Sequence, residues 1–560
     1  MPPMTGARFL AETLNGYQVT HYFFMPVSVP EAMPELERLG VARIMAHSEK
    51  GAAYMADGYA RVNGKVGVCG AQSVGALNLA AGLQDAYLGC SPVIALTGRV
   101  PQIQQDRHAY QEVDHSGPFS AVTKYSANVT GVDELPRALR QAFREATSGT
   151  PGPAHLDLWG IWGGEVMTGE ADLEVVVEEA FVSVPASRPE PDDASVRAAA
   201  DALAGAARPV IVAGGGVKTS GARAELIELA ERLQIPVATS LNAKETFPSD
   251  HPLALGAPGR YSRACANQAL AEADLVFFVG SHTGGQVTNE WRLPRPGARV
   301  IQLDINAAEL GRSFPIEAGI HADAAAGLRR VIDQTAGLDE AASTARGRWL
   351  ARVGELVDAW REGVSATAVS DKLPMRPERL CAELTRLLPQ DAVLVSDTGH
   401  AGIWTGTMVD FTSPEQSYIR CAGSLGWSLP AAIGAKCASP ERPVICFTGD
   451  GGMWYHLTEL DTAARNGIHT VTIVNNNASL NQEQALNERN YGGRTPGSDQ
   501  LWMLTDGDFA AIAETMGCLG MTVERPADLE GALDRALSAD RPAVIDVKTD
   551  IAGIPPETWD

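Results

Sequence analysis

Two short apolar runs constrain this chain more than any other feature: Pro443-Val444-Ile445-Cys446-Phe447-Thr448 and Thr470-Val471-Thr472-Ile473-Val474. Each is brief and rich in β-formers, so each reads as a buried strand. Between them, after Gly452, a helical pattern places Met453, Leu457 and Leu460 on one face and Glu459 and Asp461 off it. A strand–helix–strand unit of this length puts both strand ends on the same edge of a parallel sheet. Gly449-Asp450-Gly451 follows the first strand and Asn475-Asn476-Asn477 follows the second. Asp450 and Asn477 are 27 positions apart. They converge at the edge where ligands of open α/β sheets bind.

Carboxylate and amide oxygens suit a hard divalent cation, and Mg2+ usually completes its shell with phosphate oxygens. Glycines beside Asp450 allow backbone N–H groups to approach a phosphate at a helix N-terminus. A lone Gly-Asp-Gly is more often a plain turn. The strand context and the Asn run at this distance favour a metal–diphosphate site.

The segment resembles the cofactor motif of thiamine-diphosphate (ThDP) enzymes of the acetolactate synthase and 2-oxoacid decarboxylase type. The resemblance implies that Asp450 and the second Asn of a pair bind Mg2+, with a backbone carbonyl two residues later as third ligand. Counting from Asp450, these are Asn477 and Ser479, with Asn476 as the alternative register. Gly449, Gly451 and Gly452 then belong to the diphosphate site.

At 560 residues the chain is expected to form several domains. Hydrophobic content of 45% and charge of 20% suit a globular protein. A net charge of −23 argues against nucleic acid or anionic membrane partners. None of the eight cysteines forms a CxxC pair, so buried free thiols are expected. With no signal-like N-terminus and no long apolar stretch, the expectation is a cytoplasmic enzyme. Pro- and charge-rich connections at Val182–Asp193 and near Val364–Arg376 divide the chain into blocks of 1–182, 190–340 and 372–560. Strand and helix patterns alternate in each. Val66–Cys69, Pro92–Leu96, Pro209–Ala213 and Leu275–Val279 read as strands, and Gly75–Leu88 reads as a helix. The expected class is α/β with a parallel sheet in each block, and the resemblance implies three doubly wound parallel-sheet domains. The resemblance spans nearly the whole chain and implies a pyrimidine-binding, a central and a diphosphate-binding domain, in that order.

ThDP chemistry needs a buried carboxyl group against the pyrimidine N1′, where the two share a proton. His47-Ser48-Glu49-Lys50-Gly51-Ala52-Ala53, continuing to Ala56-Asp57-Gly58-Tyr59-Ala60-Arg61, closely resembles the family segment in which the Glu plays this part. Glu49 is therefore the candidate activator. In the family this Glu and the diphosphate site come from different subunits, which implies a homodimer or homotetramer with interfacial sites. Gly423, Ser424 and Leu425 match the segment that bends the coenzyme, with the Gly423 carbonyl accepting from its 4′-amino group. Gly399, His400 and Ala401 match a second diphosphate loop.

On the substrate side, Tyr110-Gln111-Glu112 resembles the acetolactate synthase segment whose Gln reaches the reaction centre. Gln72 and Ser73 stand where the family often has Gly-Pro-Gly, which makes Gln72 a contact candidate. Glu483 is an acid/base candidate or a solvated lid residue. Gly214-Gly215-Gly216 is weak evidence for a dinucleotide, and FAD is left open and not assigned. The expected activity is a Mg2+/ThDP-dependent C–C lyase or carboligase. A 2-oxoacid would be decarboxylated to an enamine, which is then protonated or added to a second carbonyl. The rivals are a 2-hydroxyacyl-CoA lyase or oxalyl-CoA decarboxylase relative, a flavin-using oxidase, and a ThDP-fold regulatory protein without turnover.

Overall fold

The computed structural model describes residues 3–337 and 339–555. Three six-stranded parallel sheets succeed one another along the chain, each flanked by helices. The first runs Ala42–Met45, His21–Phe24, Gly67–Ala71, Val93–Arg99, Ala154–Trp159, Tyr125–Val129 from edge to edge. The third repeats this order with Ser417–Arg420, Val393–Ser396, Val444–Gly449, Val471–Asn476, Ala543–Lys548 and Leu519–Val523. The middle sheet differs: Ala254–Gly256, Val237–Thr239, Pro209–Ala213, Leu275–Val279, Arg299–Asp304, Ala318–His321. The central strands are buried on both faces, which explains their continuous apolar runs in sequence.

The order of the third sheet reverses between Val393–Ser396 and Val444–Gly449. A crevice opens outside the carboxyl ends of strands at such a point. Asp397–Ala401 leaves one of these strands and Asp450 the other, so both expected diphosphate segments meet there. The shared order of the first and third sheets is a topological repeat without a visible sequence repeat.

Two expectations need correction. The helix after Val444–Gly449 begins at Asp450, not beyond Gly452, and ends at His456; a separate helix, Glu459–Arg465, follows. This break turns Glu459 inward, where it is 0% exposed. The connection sought near Val364 is shorter, because the helix Asp339–Ala368 runs through that position.

The first and third domains meet helix to helix. Glu49–Asn63 crosses Ser428–Ala438 so closely that a Cβ on Gly58 would collide with the Ala431 backbone, and one on Gly434 with that of Met55. All eight cysteines are free thiols. Among the described residues, no helix is long and apolar enough to cross a membrane.

Candidate active site

Asp450 opens its helix at the end of Val444–Gly449 and is buried. Its Oδ1 accepts from Gly451 N at 2.7 Å. Its Oδ2 accepts from Asn477 N at 3.0 Å and Ser479 N at 2.9 Å. Ala478, at φ +56°, makes the turn that aims both N–H groups at this one oxygen. Ser479 Oγ donates to Asn477 Oδ1 at 2.7 Å. Asp450, Asn477 and Ser479 thus meet at one point. Asn476 faces elsewhere, donating to Asp546 Oδ1 at 2.8 Å and Gly507 O at 3.0 Å. The alternation of side chains along the strand separates the two asparagines. Burial pushes the Asp450 carboxyl up to about 6, against the pull of the backbone N–H groups.

The surroundings fit a metal–diphosphate group. A carboxylate, an amide oxygen and a backbone carbonyl form a hard oxygen set short of a full shell, which suits Mg2+ carrying phosphate oxygens. Among the described residues no group of three or more His, Cys, Asp or Glu offers a rival metal site. Gly399, at φ +64°, turns the chain into the helix His400–Met408. His400 Nδ1 is buried without a protein partner, and burial lowers its pKa to about 4. Ala401 is buried behind it. A Cβ built on Gly449 or Gly423 would meet nothing within 4 Å, so both border open space. Gly451 and Gly452 instead pack tightly, against Leu480 and against Thr448 and Asp397.

The segment Cys421–Trp427 is held at both ends. Asp397, fully buried, accepts from Gly426 N and Ser428 N at 3.0 Å and from Ser428 Oγ at 2.6 Å. Burial pushes its carboxyl up. At the other end, Asp85 of the first domain accepts from Ala422, Gly423 and Ser424 N–H groups. Leu425 is half-buried between these anchors.

Glu49 begins the helix Glu49–Asn63, which Ser48 caps by accepting from Gly51 N at 2.9 Å. Asn78 Nδ2 donates to Glu49 Oε2 at 3.3 Å, and Gly75 leaves room for Oε1. Among the described residues, these contacts of Glu49 stay within the first domain. Glu459 in the third domain accepts from His47 N at 3.1 Å and from Thr462 Oγ1 at 2.7 Å, fixing the approach to Glu49.

Ser73, fully buried, donates its hydroxyl to Gln111 O at 2.7 Å, and Val74 N donates to Gln111 Oε1 at 3.3 Å. Gln111 Nε2 lies 3.5 Å from Gln72 Oε1, at the limit of a hydrogen bond. Gln111 itself is at φ +61°. Gln72 and Gln111 are thereby brought together at the C-terminal edge of the first sheet. Glu483 is exposed at the end of the single helical turn Asn481–Glu483. Its neighbour Gln482, not singled out from sequence, approaches Gly399 and donates to Tyr261 of the central domain at 3.1 Å. Asp85, Asp397 and Glu459 were also missed. Of these, Asp397 carried a signal, a carboxylate at the end of an apolar strand beside Gly399. Gly214–Gly216, His282 and Asp304 line a cavity of about 710 Å³ whose walls come from all three domains and include Arg61 and Ala422.

Descriptions of three family domains match the chain: "Thiamine pyrophosphate enzyme, N-terminal TPP binding domain" over residues 4–117, "central domain" over 196–331 and "C-terminal TPP binding domain" over 397–547. The chain is 34% identical to the probable acetolactate synthase large subunit of Methanocaldococcus jannaschii, covering 98% of this chain and 92% of that protein. It is 31% identical to the acetolactate synthase isozyme 1 large subunit of Escherichia coli K12, over 98% and 94% of the two. The chain belongs to the thiamine pyrophosphate enzyme family. It is an acetolactate synthase-like enzyme. Four strands of each of the first and third sheets fall wholly within the two coenzyme-binding matches, and the Asp450–Ser479 turn and Asp397 lie in the C-terminal one.

Proposed function

We propose that this enzyme is a Mg2+/ThDP-dependent C–C lyase or carboligase acting on a 2-oxoacid. The carbon–carbon bond beside the carbonyl is cleaved with loss of CO2, and the remaining fragment is protonated or joined to a second carbonyl. The observation that carries this reading is the buried Asp450 carboxylate, met by Asn477 and Ser479 at the switch point of a parallel sheet. Asp450 Oδ, Asn477 Oδ1 and the Ser479 carbonyl would hold Mg2+, and the Gly399–Ala401 and Gly449–Gly452 segments the diphosphate. Residues 1–182, 190–340 and 372–560 would act as pyrimidine-binding, central and diphosphate-binding domains.

When bound, ThDP supplies a nucleophilic thiazolium carbon and a ring that accepts the electrons of the broken bond. The protein's part is placement and proton handling. Glu49 would hold and share a proton at the pyrimidine N1′. The Gly423 carbonyl would accept from the 4′-amino group, and Leu425 would pack beneath the coenzyme. Gln111 and Gln72, joined through the Ser73 corner, face the substrate; their amides donate and accept without titrating. The reading calls for a second copy of the chain, because in the family it resembles the Glu and the diphosphate site come from different subunits. Leu77, Leu88, Trp454 and Tyr455 leave apolar surface exposed near the site elements, as a subunit contact requires.

Glu49→Gln tests the central role. ThDP binding by calorimetry is expected to persist, while exchange of the C2 proton, followed by NMR, slows by about 10²-fold or more. Wild-type exchange in this variant refutes the assignment. A panel of 2-oxoacids and acyl-CoA thioesters, with products read by mass spectrometry, identifies the substrate. Turnover of acyl-CoA alone, or of nothing despite bound ThDP, refutes the 2-oxoacid reading.

A further inference from the structure

Asp85 lies on the helix Ala76–Leu88 of the first domain and is 0% exposed, yet its carboxylate is spent on the third domain. Ala422 N donates to Oδ1 at 2.9 Å and to Oδ2 at 3.1 Å. Gly423 N and Ser424 N donate to Oδ2 at 3.2 and 3.1 Å, and the Cys421 thiol approaches the same oxygen at 3.3 Å. Three successive backbone N–H groups converging on one point form an anion-binding concavity. Here a side chain fills it. The charge is balanced by Arg61, whose Nη2 donates to Asp85 Oδ1 at 3.1 Å, and which also clasps Asp57 through two bonds of 2.7 Å.

The consequence is directional. In a trans peptide, N–H and C=O point opposite ways. Ser424 N–H belongs to the same peptide as the Gly423 carbonyl. Because Ser424 N–H is aimed at Asp85, the Gly423 carbonyl faces away from Asp85. Gly423 borders open space, since a Cβ there would meet nothing within 4 Å. Asp397 fixes the far end of the segment at Gly426 and Ser428, but it does not touch the Ser424 peptide. The orientation of this carbonyl therefore depends on a residue more than 300 positions earlier in the chain.

We infer that Asp85 is a positioning residue of the coenzyme site, fixing the Cys421–Leu425 segment so that the Gly423 carbonyl and Leu425 are set for the coenzyme before it arrives. This rests on the ThDP reading above. Asp85 touches no reacting atom; it acts through the backbone of another domain. On the two-copy reading it also links the coenzyme segment of one site to the Glu49 that serves the other. Asn78, which donates to Glu49, lies seven residues before Asp85 on the same helix, two turns and about 10 Å along its axis.

The test compares two isosteric variants within one ionic cluster. Asp85→Asn removes the carboxylate that faces both Arg61 and the three N–H groups. Asp57→Asn disturbs the same cluster, through Arg61 and Trp427 Nε1, without touching residues 421–425. ThDP affinity at saturating Mg2+ is measured by calorimetry, together with C2-proton exchange on the saturated enzyme and the melting temperature of the coenzyme-free protein. Asp85→Asn is expected to weaken ThDP binding by about tenfold or more and to slow exchange by a similar factor. The 2-oxoacid KM should stay close to that of the wild type. Asp57→Asn is expected to lower the melting temperature and leave ThDP affinity near wild type. Asp85→Glu keeps the charge opposite Arg61 and displaces the acceptor by one methylene. It carries the same expectation if Asp85→Asn does not fold. An Asp85 variant that matches Asp57→Asn in both affinity and exchange overturns the positioning role alone. A wild-type protein that binds no ThDP overturns the functional reading and this inference with it.

Discussion

Gly58→Ala probes the crossing that carries Glu49. A Cβ at Gly58 would lie 2.7 Å from both the C and Cα atoms of Ala431, and closer still to the Ala431 oxygen. Ordinary carbon–carbon contact begins near 3.5 Å, so the helices must part by about 1 Å. Neither side can yield by rotating a side chain, because the obstacle is backbone. The reciprocal contact of Gly434 with Met55, 2.6 Å to its carbonyl carbon, blocks sliding along the same axis. Overpacking of this kind costs about 1–3 kcal/mol, and rigid partners place it at the upper end. For a domain of this size that lowers the melting temperature by roughly 5–10 °C. Displacing Glu49 by a fraction of that 1 Å is expected to cost up to about 10²-fold in turnover. Scanning calorimetry and C2-proton exchange read the two effects. Gly363→Ala is the control, since a Cβ there meets nothing within 4 Å on an exposed helix. It should stabilise by about 0.5–1 kcal/mol. Equal melting temperatures for Gly58→Ala and the wild type would refute the packing argument.

Asp450→Asn separates stability from function. The Asp450 carboxyl is raised to about 6 in the folded chain. Its ionised form therefore costs stability as pH rises from about 4 through 6, and the full cost is present at pH 7. Without coenzyme, the variant should melt at or above the wild-type temperature at pH 7. Mg2+-dependent ThDP affinity should fall by about 10–100-fold in calorimetry; unchanged affinity would contradict the metal assignment. Lys244, buried with Gly406 O at 2.9 Å as its hydrogen-bond partner, is lowered to about 7, mainly by burial and then by Arg263. The unfolded chain holds the proton up to about pH 10, so wild-type stability should rise between about pH 7 and 10 by up to about 1.4 kcal/mol per unit from this group. Lys244→Met should lack that rise. Parallel stability-versus-pH curves for the two proteins would refute it.

Local pattern made the strands and the meeting of Asp450 with the Asn run legible in the sequence. Each strand needs only its own apolar run, and a βαβ unit has one hand. The choice between Asn476 and Asn477 was not legible, because it depends on the pleat at the end of a strand and on the turn at Ala478. Asp85 and Glu459 were invisible for a different reason. Their partners lie 337 to 339 and 412 positions away, in another domain. By periodicity Glu459 looked solvent-facing, and the helix break after His456 reversed its direction. The topological likeness of the first and third sheets was hidden because many apolar sequences satisfy one strand order.

The most direct measurement is complementation between two inactive proteins, Glu49→Gln and Asp450→Ala, unfolded together and refolded as a mixture. If each site joins Glu49 of one copy to Asp450 of another, half of the dimers are mixed and half of their sites are intact. About a quarter of wild-type activity should then return. Mixed dimers, verified by mass spectrometry, that show no activity above either parent would contradict the account.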